Sequence, residues 1–161
     1  MKEKTNEQMN EILAMFYFAY KTFTEEPDLM IEEYGIQRVH HRILFFISRF
    51  PGLSVNELLS LLEVSKQALH RPMKTLIEKN LVITSEAEHD RRVKKLNLTE
   101  EGTQLEEKLS NTQKQQLSSI FNELKPEQVE AWQTIMERLS VERNGFEAWK
   151  TKLNNHQDEV E

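Results

Sequence analysis

The chain has 161 residues and a net charge of -6, with 30% charged residues, 38% hydrophobic residues, four glycines and four prolines. This composition is typical of one helix-rich globular domain and excludes a collagen or a low-complexity chain. The absence of cysteine excludes disulfides, thiolate nucleophiles and cysteine-ligated zinc. The apolar stretch from Ile12 to Tyr20 has nine residues, whereas a membrane span needs about 20, so we expect a cytoplasmic protein with no membrane contact.

Basic residues are concentrated in the middle of this acidic chain. Residues 64–95 contain eight basic and four acidic residues, whereas residues 99–161 contain seven and thirteen. An acidic body with a basic middle is typical of a protein that binds nucleic acid through its central segment. Charge also fluctuates by this much in other proteins, so the charge distribution alone does not settle the function.

The first half of the chain predicts three helices before residue 63. Apolar residues at three- and four-residue steps predict a helix over 6–24, and we expect the segment 25–28 (Glu-Glu-Pro-Asp) to end it. A second helix is predicted from about Ile36 to Arg49. The run Ser-Val-Asn-Glu at 54–57 forms a capping box that begins a short third helix.

Ser65 is the predicted N-cap of a fourth helix, which extends to about Lys79 and has one apolar and one polar face. Pro72 lies inside this helix. Because proline removes a backbone donor and clashes with the preceding turn, we expect it to kink or loosen the helix, at a cost of about 3 kcal/mol in stability. Asn80 is a suitable stop, since asparagine tolerates the left-handed conformation.

A period of two residues then predicts two strands, over 81–86 and 93–98, joined by a polar tip. Thr99 is the predicted N-cap of a long helix, and Pro126 begins the last full helix. Phe146, Trp149 and Leu153 are expected to extend that last helix.

A short helix, a three-residue turn, a polar-faced helix and a hairpin together form the pattern of a winged helix-turn-helix. The polar face could enter a major groove about 12 Å wide, where Gln67 can pair with an adenine edge. Arg71 and Lys74 can contact guanine or phosphate, and Arg91 and Arg92 at the hairpin tip can contact the minor groove. A polar helix face is also common as mere solvated surface.

Three stretches carry a family resemblance: LSVNELLSLLEVSKQALHRPMKTLIEKNLV from Leu53, HDRR at 89–92 and LNLTEEG at 96–102. In combination they resemble the MarR/SlyA family of bacterial transcription regulators, over about residues 8–145. The resemblance implies a mainly α fold with a small β-hairpin wing, a winged helix-turn-helix with N- and C-terminal dimerisation helices. It implies one domain over 1–161, with dimerisation helices in 6–35 and 99–153, the DNA-binding region in 36–98 and a frayed tail in 154–161.

The resemblance also implies a homodimer that binds double-stranded DNA at a pseudo-palindromic operator, more as a repressor than as an activator. Asp90 would orient the wing, and one of the two wing arginines would enter the minor groove. The implied DNA-binding residues are Ser65, Lys66, Gln67, His70, Arg71, Lys74, Asp90, Arg91 and Arg92.

Many relatives in this family release DNA when they bind a small aromatic or phenolic ligand. The candidate lining residues here are Phe16, Tyr20, His40, His41 and Phe45, with Arg42 beside them. Aromatic residues at helical spacing are also common in a core. His40 and His41 are about 100° apart on a helix, so both cannot face one pocket equally. The histidines show no i, i+4 pairing, and we expect neither a metal site nor a cofactor.

An enzyme is the alternative from another class. The sequence has no phosphate-binding glycine loop, no nucleophile elbow and no H-E-x-x-H motif, and Glu106 and Glu107 are interpreted as solvated surface. We therefore expect no catalytic activity. Two alternatives stay open: a winged-helix protein-interaction module, and a transcriptional activator without small-molecule sensing. Steep salt dependence of duplex binding would distinguish a DNA-binding protein from an interaction module.

Overall fold

The computed structural model describes residues 5–158, which form seven helices and a three-stranded sheet. The elements in chain order are α1 (Asn6–Glu33), α2 (Arg38–Arg49), β1 (Leu53–Ser54), α3 (Val55–Leu62), α4 (Lys66–Glu78), β2 (Val82–Glu86), β3 (Lys94–Leu98), α5 (Glu100–Asn122), α6 (Pro126–Ser140) and α7 (Asn144–Asp158). The predicted fold class, mainly α with a small β-hairpin wing, is confirmed.

The sheet has the strand order β1-β3-β2, and both pairs are antiparallel. In the β2–β3 hairpin, Val82 lies opposite Leu98 and Glu86 lies opposite Lys94. This hairpin is the predicted wing. The strand β1 was not predicted, because two residues are too few to show an alternating pattern.

Local caps begin the two helices of the helix-turn-helix as predicted. Ser54 Oγ accepts a hydrogen bond from Glu57 N at 3.2 Å, and Glu57 Oε2 accepts one from Ser54 N at 2.6 Å. Ser65 Oγ accepts a hydrogen bond from Ala68 N at 3.2 Å. Asn80 follows α4 with a φ of 57°, which is the left-handed conformation expected for its role as a stop.

The wing is joined to α5 by a close approach that requires glycine. Thr99 Oγ1 accepts a hydrogen bond from Gly102 N at 2.9 Å and so caps α5 as predicted. A Cβ atom at Gly102 would lie 2.0 Å from the backbone oxygen of Leu81, a distance that no side chain tolerates. The glycine of the LNLTEEG stretch is therefore a packing requirement of the α5 start.

The prediction that residues 25–28 end the first helix is wrong, because α1 continues through Pro27 to Glu33. Proline at this position cannot donate to the carbonyl of Phe23 four residues earlier. That carbonyl instead accepts a hydrogen bond from Gln113 Nε2 of α5 at 3.3 Å. A long-range contact thus replaces the lost helical hydrogen bond.

Helix α4 likewise continues through Pro72 as one helix, so the predicted disruption does not end it. Leu69, Met73 and Leu76 of α4 are buried on both sides of the proline. Packing of an apolar face supplies most of the stability of a helix in a protein, and this packing offsets the local cost of the proline.

One hydrophobic core holds the winged region to the N-terminal half of α5. Its buried apolar residues are Ile31, Ile36, Ile43, Leu44, Ile47, Phe50, Leu53, Leu58, Leu61, Leu69, Met73, Leu76, Leu81, Val82, Leu96, Leu105 and Leu109. The core therefore fixes α4 and the wing as one unit below α5.

The C-terminal region differs from the prediction in two ways. A turn at 141–143 separates α6 from α7, so Phe146 and Trp149 lie on a helix of their own. Helix α7 also extends to Asp158, beyond the predicted frayed end after Leu153, while residues 159–161 of the predicted tail lie outside the described residues.

Candidate nucleic-acid interface

Helix α4 presents one polar stripe to solvent. Its apolar face is fixed by the buried residues Leu69, Met73 and Leu76, which leaves the opposite face free. Positions 67, 70, 71 and 74 follow the three- and four-residue steps of one helix face. All the predicted DNA-binding residues of this segment are exposed, namely Ser65, Lys66, Gln67, His70, Arg71 and Lys74.

The cations of this stripe are largely available to a ligand. Lys74 Nζ lies 3.7 Å from Glu78 Oε1, and both side chains are mostly exposed, so this pair is weak. Within residues 5–158, no carboxylate lies close enough to Lys66 or Arg71 to form an ion pair. The stripe can therefore offer positive charge and side-chain donors to a polyanion.

Asp90 holds the turn at the tip of the wing. Its Oδ1 accepts a hydrogen bond from Arg92 N at 2.9 Å, and its backbone oxygen accepts one from Val93 N at 2.9 Å. The Arg92 Nε atom also lies 3.5 Å from Asp90 Oδ1. This local bonding stabilises the conformation of the tip.

The two wing arginines differ in their environment although both are extended into solvent. The side chain of Arg91 is 92% exposed and its Nε lies 3.9 Å from Glu86 Oε2, while the side chain of Arg92 is 95% exposed. Glu86 also contacts Lys94 directly across the hairpin, at 3.4 Å. Glu86, at the tip end of β2, thus lies near Arg91, and Asp90 lies near Arg92. Because both arginines are extended into solvent, these two pairs are weak.

Comparisons with known proteins assign this arrangement to a family. The MarR family model matches residues 34–93, which contain α2, α3, α4 and the tip of the wing. The HTH-type transcriptional regulator PetP of Rhodobacter capsulatus is 36% identical over 135 residues, which are 84% of this chain and 81% of PetP. The chain belongs to the MarR family.

Solved structures of MarR-family proteins share the fold. The S. aureus MepR–DNA complex superposes with a TM-score of 0.65 at 18% identity, over 87% of this chain and 99% of MepR. S. aureus MarR in complex with salicylate and kanamycin gives a TM-score of 0.67 at 21% identity, over 83% of this chain and 91% of that chain. The MarR winged-helix fold is therefore present here.

The predicted ligand-lining residues of this MarR-family chain are spread over three places. Phe16 and Tyr20 are exposed on α1, and His40 is buried at the start of α2. Phe45 lies further along α2, where its ring stacks on Trp149 with centroids 5.9 Å apart. His41, the next residue of α2, is half-buried, so the five residues do not share one face of the described protomer.

His40 has a structural role that the sequence analysis missed. Its Nδ1 accepts a hydrogen bond from Gln37 N at 2.9 Å, which satisfies a free donor at the start of α2. Burial lowers the pKa of His40, and the charge of Lys79 lowers it further. Burial also lowers the pKa of His41, despite the opposing charge of Glu106. Each imidazole therefore gives up its proton more readily than an exposed histidine does.

A second missed feature is the environment of Tyr20. Arg38 Nη1 and Arg42 Nη2 each donate to the Tyr20 hydroxyl at 3.3 Å. Arg38 donates three hydrogen bonds to the carboxylate of Asp28, including one from Nη2 to Oδ2 at 2.5 Å. The guanidinium of Arg38 also lies 5.4 Å from the centre of the Tyr20 ring. No local pattern marks Arg38, because its partners lie on a different helix.

The interpretation of Glu106 as solvated surface is wrong. Its side chain is fully buried, and its Oε1 accepts hydrogen bonds from Arg49 Nη2 at 3.0 Å and from the Ser110 hydroxyl. The Arg49 guanidinium lies over the Phe45 ring at 5.1 Å. This ion pair between a buried carboxylate and a partly exposed guanidinium joins α2 to α5, and it lies apart from the exposed α4 stripe.

Within residues 5–158, no group of three histidines, aspartates or glutamates is arranged to hold a metal ion. None of the helices in the same range is both long enough and apolar enough to cross a bilayer.

Proposed function

We propose that this protein is a transcriptional regulator that binds duplex DNA as a homodimer, at a pseudo-palindromic operator, and that it acts as a repressor. The exposed cationic stripe of α4 in a MarR-family chain carries the proposal. MepR, which shares the fold, has been solved as a DNA complex. A regulator of this kind acts by binding and requires no catalysis. We expect it to work in the cytoplasm, where bacterial DNA lies.

The α4 stripe would lie in the major groove. Gln67 and Arg71 would contact base edges, since their amide and guanidinium groups match adenine and guanine. Lys66 and Lys74 would bind phosphates, which position the protein without specifying sequence. Ser65 and His70, on the same exposed face, add hydrogen-bond donors beside them.

The wing would bind the neighbouring minor groove. The side chain of Arg92 is 95% exposed and would enter the groove, where the negative potential is strongest over narrow A·T tracts. Arg91 would bind flanking phosphate, and Asp90 would hold the turn that presents both arginines. The acidic C-terminal half of the chain would face away from the DNA.

Dimerisation would use the large apolar side chains that the protomer leaves exposed on α1, α5 and α6. Helix α6 has no buried residue at all within the protomer. An apolar surface of this extent marks a protein interface, and a second copy is the partner that gives two equal DNA half-sites. The exposed side chains on these helices, and at 124 and 141 on either side of α6, are Met9, Leu13, Met15, Phe16, Tyr17, Phe18, Tyr20, Ile120, Leu124, Trp132, Ile135, Met136, Leu139 and Val141.

The test begins with selection of a bound sequence from a random duplex pool, followed by fluorescence anisotropy. We expect a pseudo-palindrome bound at about 10⁻⁸ M or better, and a dimer by sedimentation. Arg71→Ala should weaken binding to this sequence at least tenfold. The matched control Lys108→Ala removes an exposed cation of α5 and should bind as the wild type does. Failure to enrich any sequence would contradict the proposal.

A response to a small aromatic acid or phenol is the second proposal, and the Tyr20 environment favours it. Two guanidinium groups converge on one aromatic hydroxyl there, which suits an aromatic carboxylate. S. aureus MarR has been solved with salicylate. Salicylate should therefore reduce operator affinity of the wild type, and Arg42→Ala should need at least tenfold more of it. An unchanged affinity at millimolar salicylate would contradict this response.

A further inference from the structure

Helix α7 lies antiparallel along α3, the first helix of the helix-turn-helix, and contacts it at both ends. Near the α3 N-terminus, Lys152 Nζ lies 2.6 Å from Glu57 Oε1. At the α3 C-terminus, Arg143 Nη2 lies 2.8 Å from Glu63 Oε2, and Gly145 N donates to Glu63 Oε1 at 3.3 Å. These contacts fix both the position and the direction of α7 on α3.

The approach of the two helices is as close as the backbone permits. A Cβ atom at Gly145 would lie 2.6 Å from the backbone oxygen of Leu61, so only glycine allows this contact. Glu63 adopts a left-handed conformation with a φ of 54° and receives both contacts from the start of α7. The start of α7 therefore packs directly against the turn between α3 and α4.

Aromatic packing joins the middle of α7 to α2. The Trp149 ring stacks on Phe45 at 5.9 Å and makes edge contacts with Phe46 at 5.9 Å and Phe50 at 5.1 Å. Phe45 in turn lies under Arg49, whose guanidinium pairs with Glu106 of α5. A continuous set of contacts thus connects α5 through α2 and α7 to α3.

We propose that α7 is a positioning element for DNA binding, with Trp149 and Lys152 as its positioning residues. Helix α7 follows α6 directly and packs on α3, the helix that supports α4. It therefore connects α4 to α5 and α6, whose exposed apolar side chains would form the dimer interface. Helix α7 would hold α4 at a fixed orientation to that interface, and so would fix the separation of the two α4 helices in a dimer. This inference rests on the proposed function as a dimeric DNA-binding regulator.

The separation of the half-sites is the property that such an element controls. Half-sites one helical turn apart have centres about 34–36 Å apart. One inserted base pair turns the second half-site by about 35° around the DNA axis. A rigid dimer cannot follow this rotation, whereas a dimer with loosely held α4 helices can follow it in part.

The experiment compares the selected operator with duplexes that carry one base pair more or fewer between the half-sites. We expect the wild type to lose at least tenfold in affinity on each altered duplex. For Trp149→Ala, the fold loss of affinity on the altered duplexes, here called the spacing penalty, should be at least three times smaller than for the wild type. Lys152→Ala should change the penalty in the same direction, and Lys152→Arg should restore it, because arginine can keep the contact with Glu57.

Lys150→Ala is the matched control. Lys150 lies on the same helix, and its ammonium contacts Glu147 and the Phe146 ring of α7 itself. This variant should keep the wild-type penalty. Sedimentation should show a dimer for every variant, since a smaller penalty from a dissociated dimer would not support positioning.

If Trp149→Ala and Lys152→Ala both lose as much affinity on the altered duplexes as the wild type does, the inference is overturned and the proposed function stays intact. If Trp149→Ala does not fold, the lysine variants decide, because a partly exposed ion pair contributes little to stability. If the wild type binds no selected duplex above a shuffled one, the proposed function fails, and this inference fails with it.

Discussion

The side-chain amide of Gln113 donates a hydrogen bond to the backbone oxygen of Phe23 at 3.3 Å. Phe23 precedes Pro27 by four residues, so its carbonyl lacks the helical donor that any other residue would supply. One residue of α5 thus allows α1 to continue through a proline. The same contact ties together two of the helices with exposed apolar faces.

Gln113→Ala should destabilise the protein by about 1 kcal/mol, because it leaves the Phe23 carbonyl without a donor. In a Pro27→Ala background the helix supplies its own donor, so the same substitution should cost less. Urea unfolding of the wild type and the three variants of this double-mutant cycle measures the coupling. Equal costs in both backgrounds would contradict the role assigned to Gln113.

Arg49→Met should destabilise the protein by about 3 kcal/mol, since it leaves the buried carboxylate of Glu106 without its cation. The double variant Arg49→Met/Glu106→Leu should recover most of this loss, because apolar side chains then fill the site. Urea unfolding is again the measurement. If Arg49→Met is as stable as the wild type, the ion pair is not needed for stability.

Stability should fall as the pH is lowered below about 6.5, the ordinary pKa of histidine. Burial lowers the pKa of His40 and His41 in the folded protein, so the unfolded chain binds protons first on acidification. The stabilisation is complete above the unfolded pKa and is lost as pH falls through the folded one. In His40→Gln, the free energy of unfolding should change less steeply with pH between pH 7 and 5. An unchanged slope would contradict a contribution of His40 to this pH dependence.

Asp90→Ala distinguishes a structural role of the wing aspartate from a purely electrostatic one. Removing a negative charge near phosphates should by itself strengthen DNA binding. If Asp90 holds the tip through its bond to Arg92 N, the loss of order should instead weaken operator binding, by about threefold to tenfold. Anisotropy on the selected operator decides the sign, with Glu88→Ala as the control for charge on the same loop.

Features that depend on local chemistry were predictable from the sequence. Ser54, Ser65 and Thr99 cap their helices where expected, because each cap involves residues only three positions apart. The exposed stripe of α4 also follows from its period, since the apolar positions fix which face is buried.

Features that depend on distant partners were not predictable. Pro27 looked like a helix end because its compensating donor lies 86 positions away, at Gln113. Glu106 looked like solvated surface because its partner Arg49 lies on another helix. Trp149 was expected to extend the preceding helix, and only the packing against α2 shows its place.

The most direct test of the account is the salt dependence of operator binding by the wild type and Arg92→Ala. Affinity for the selected duplex should fall steeply with salt, because each neutralised phosphate releases counterions. Arg92→Ala should weaken binding by about 1–3 kcal/mol and lower the slope of log K against log salt by about one. Binding by the wild type that is insensitive to salt, or equal on a shuffled duplex, would contradict a sequence-specific DNA-binding regulator.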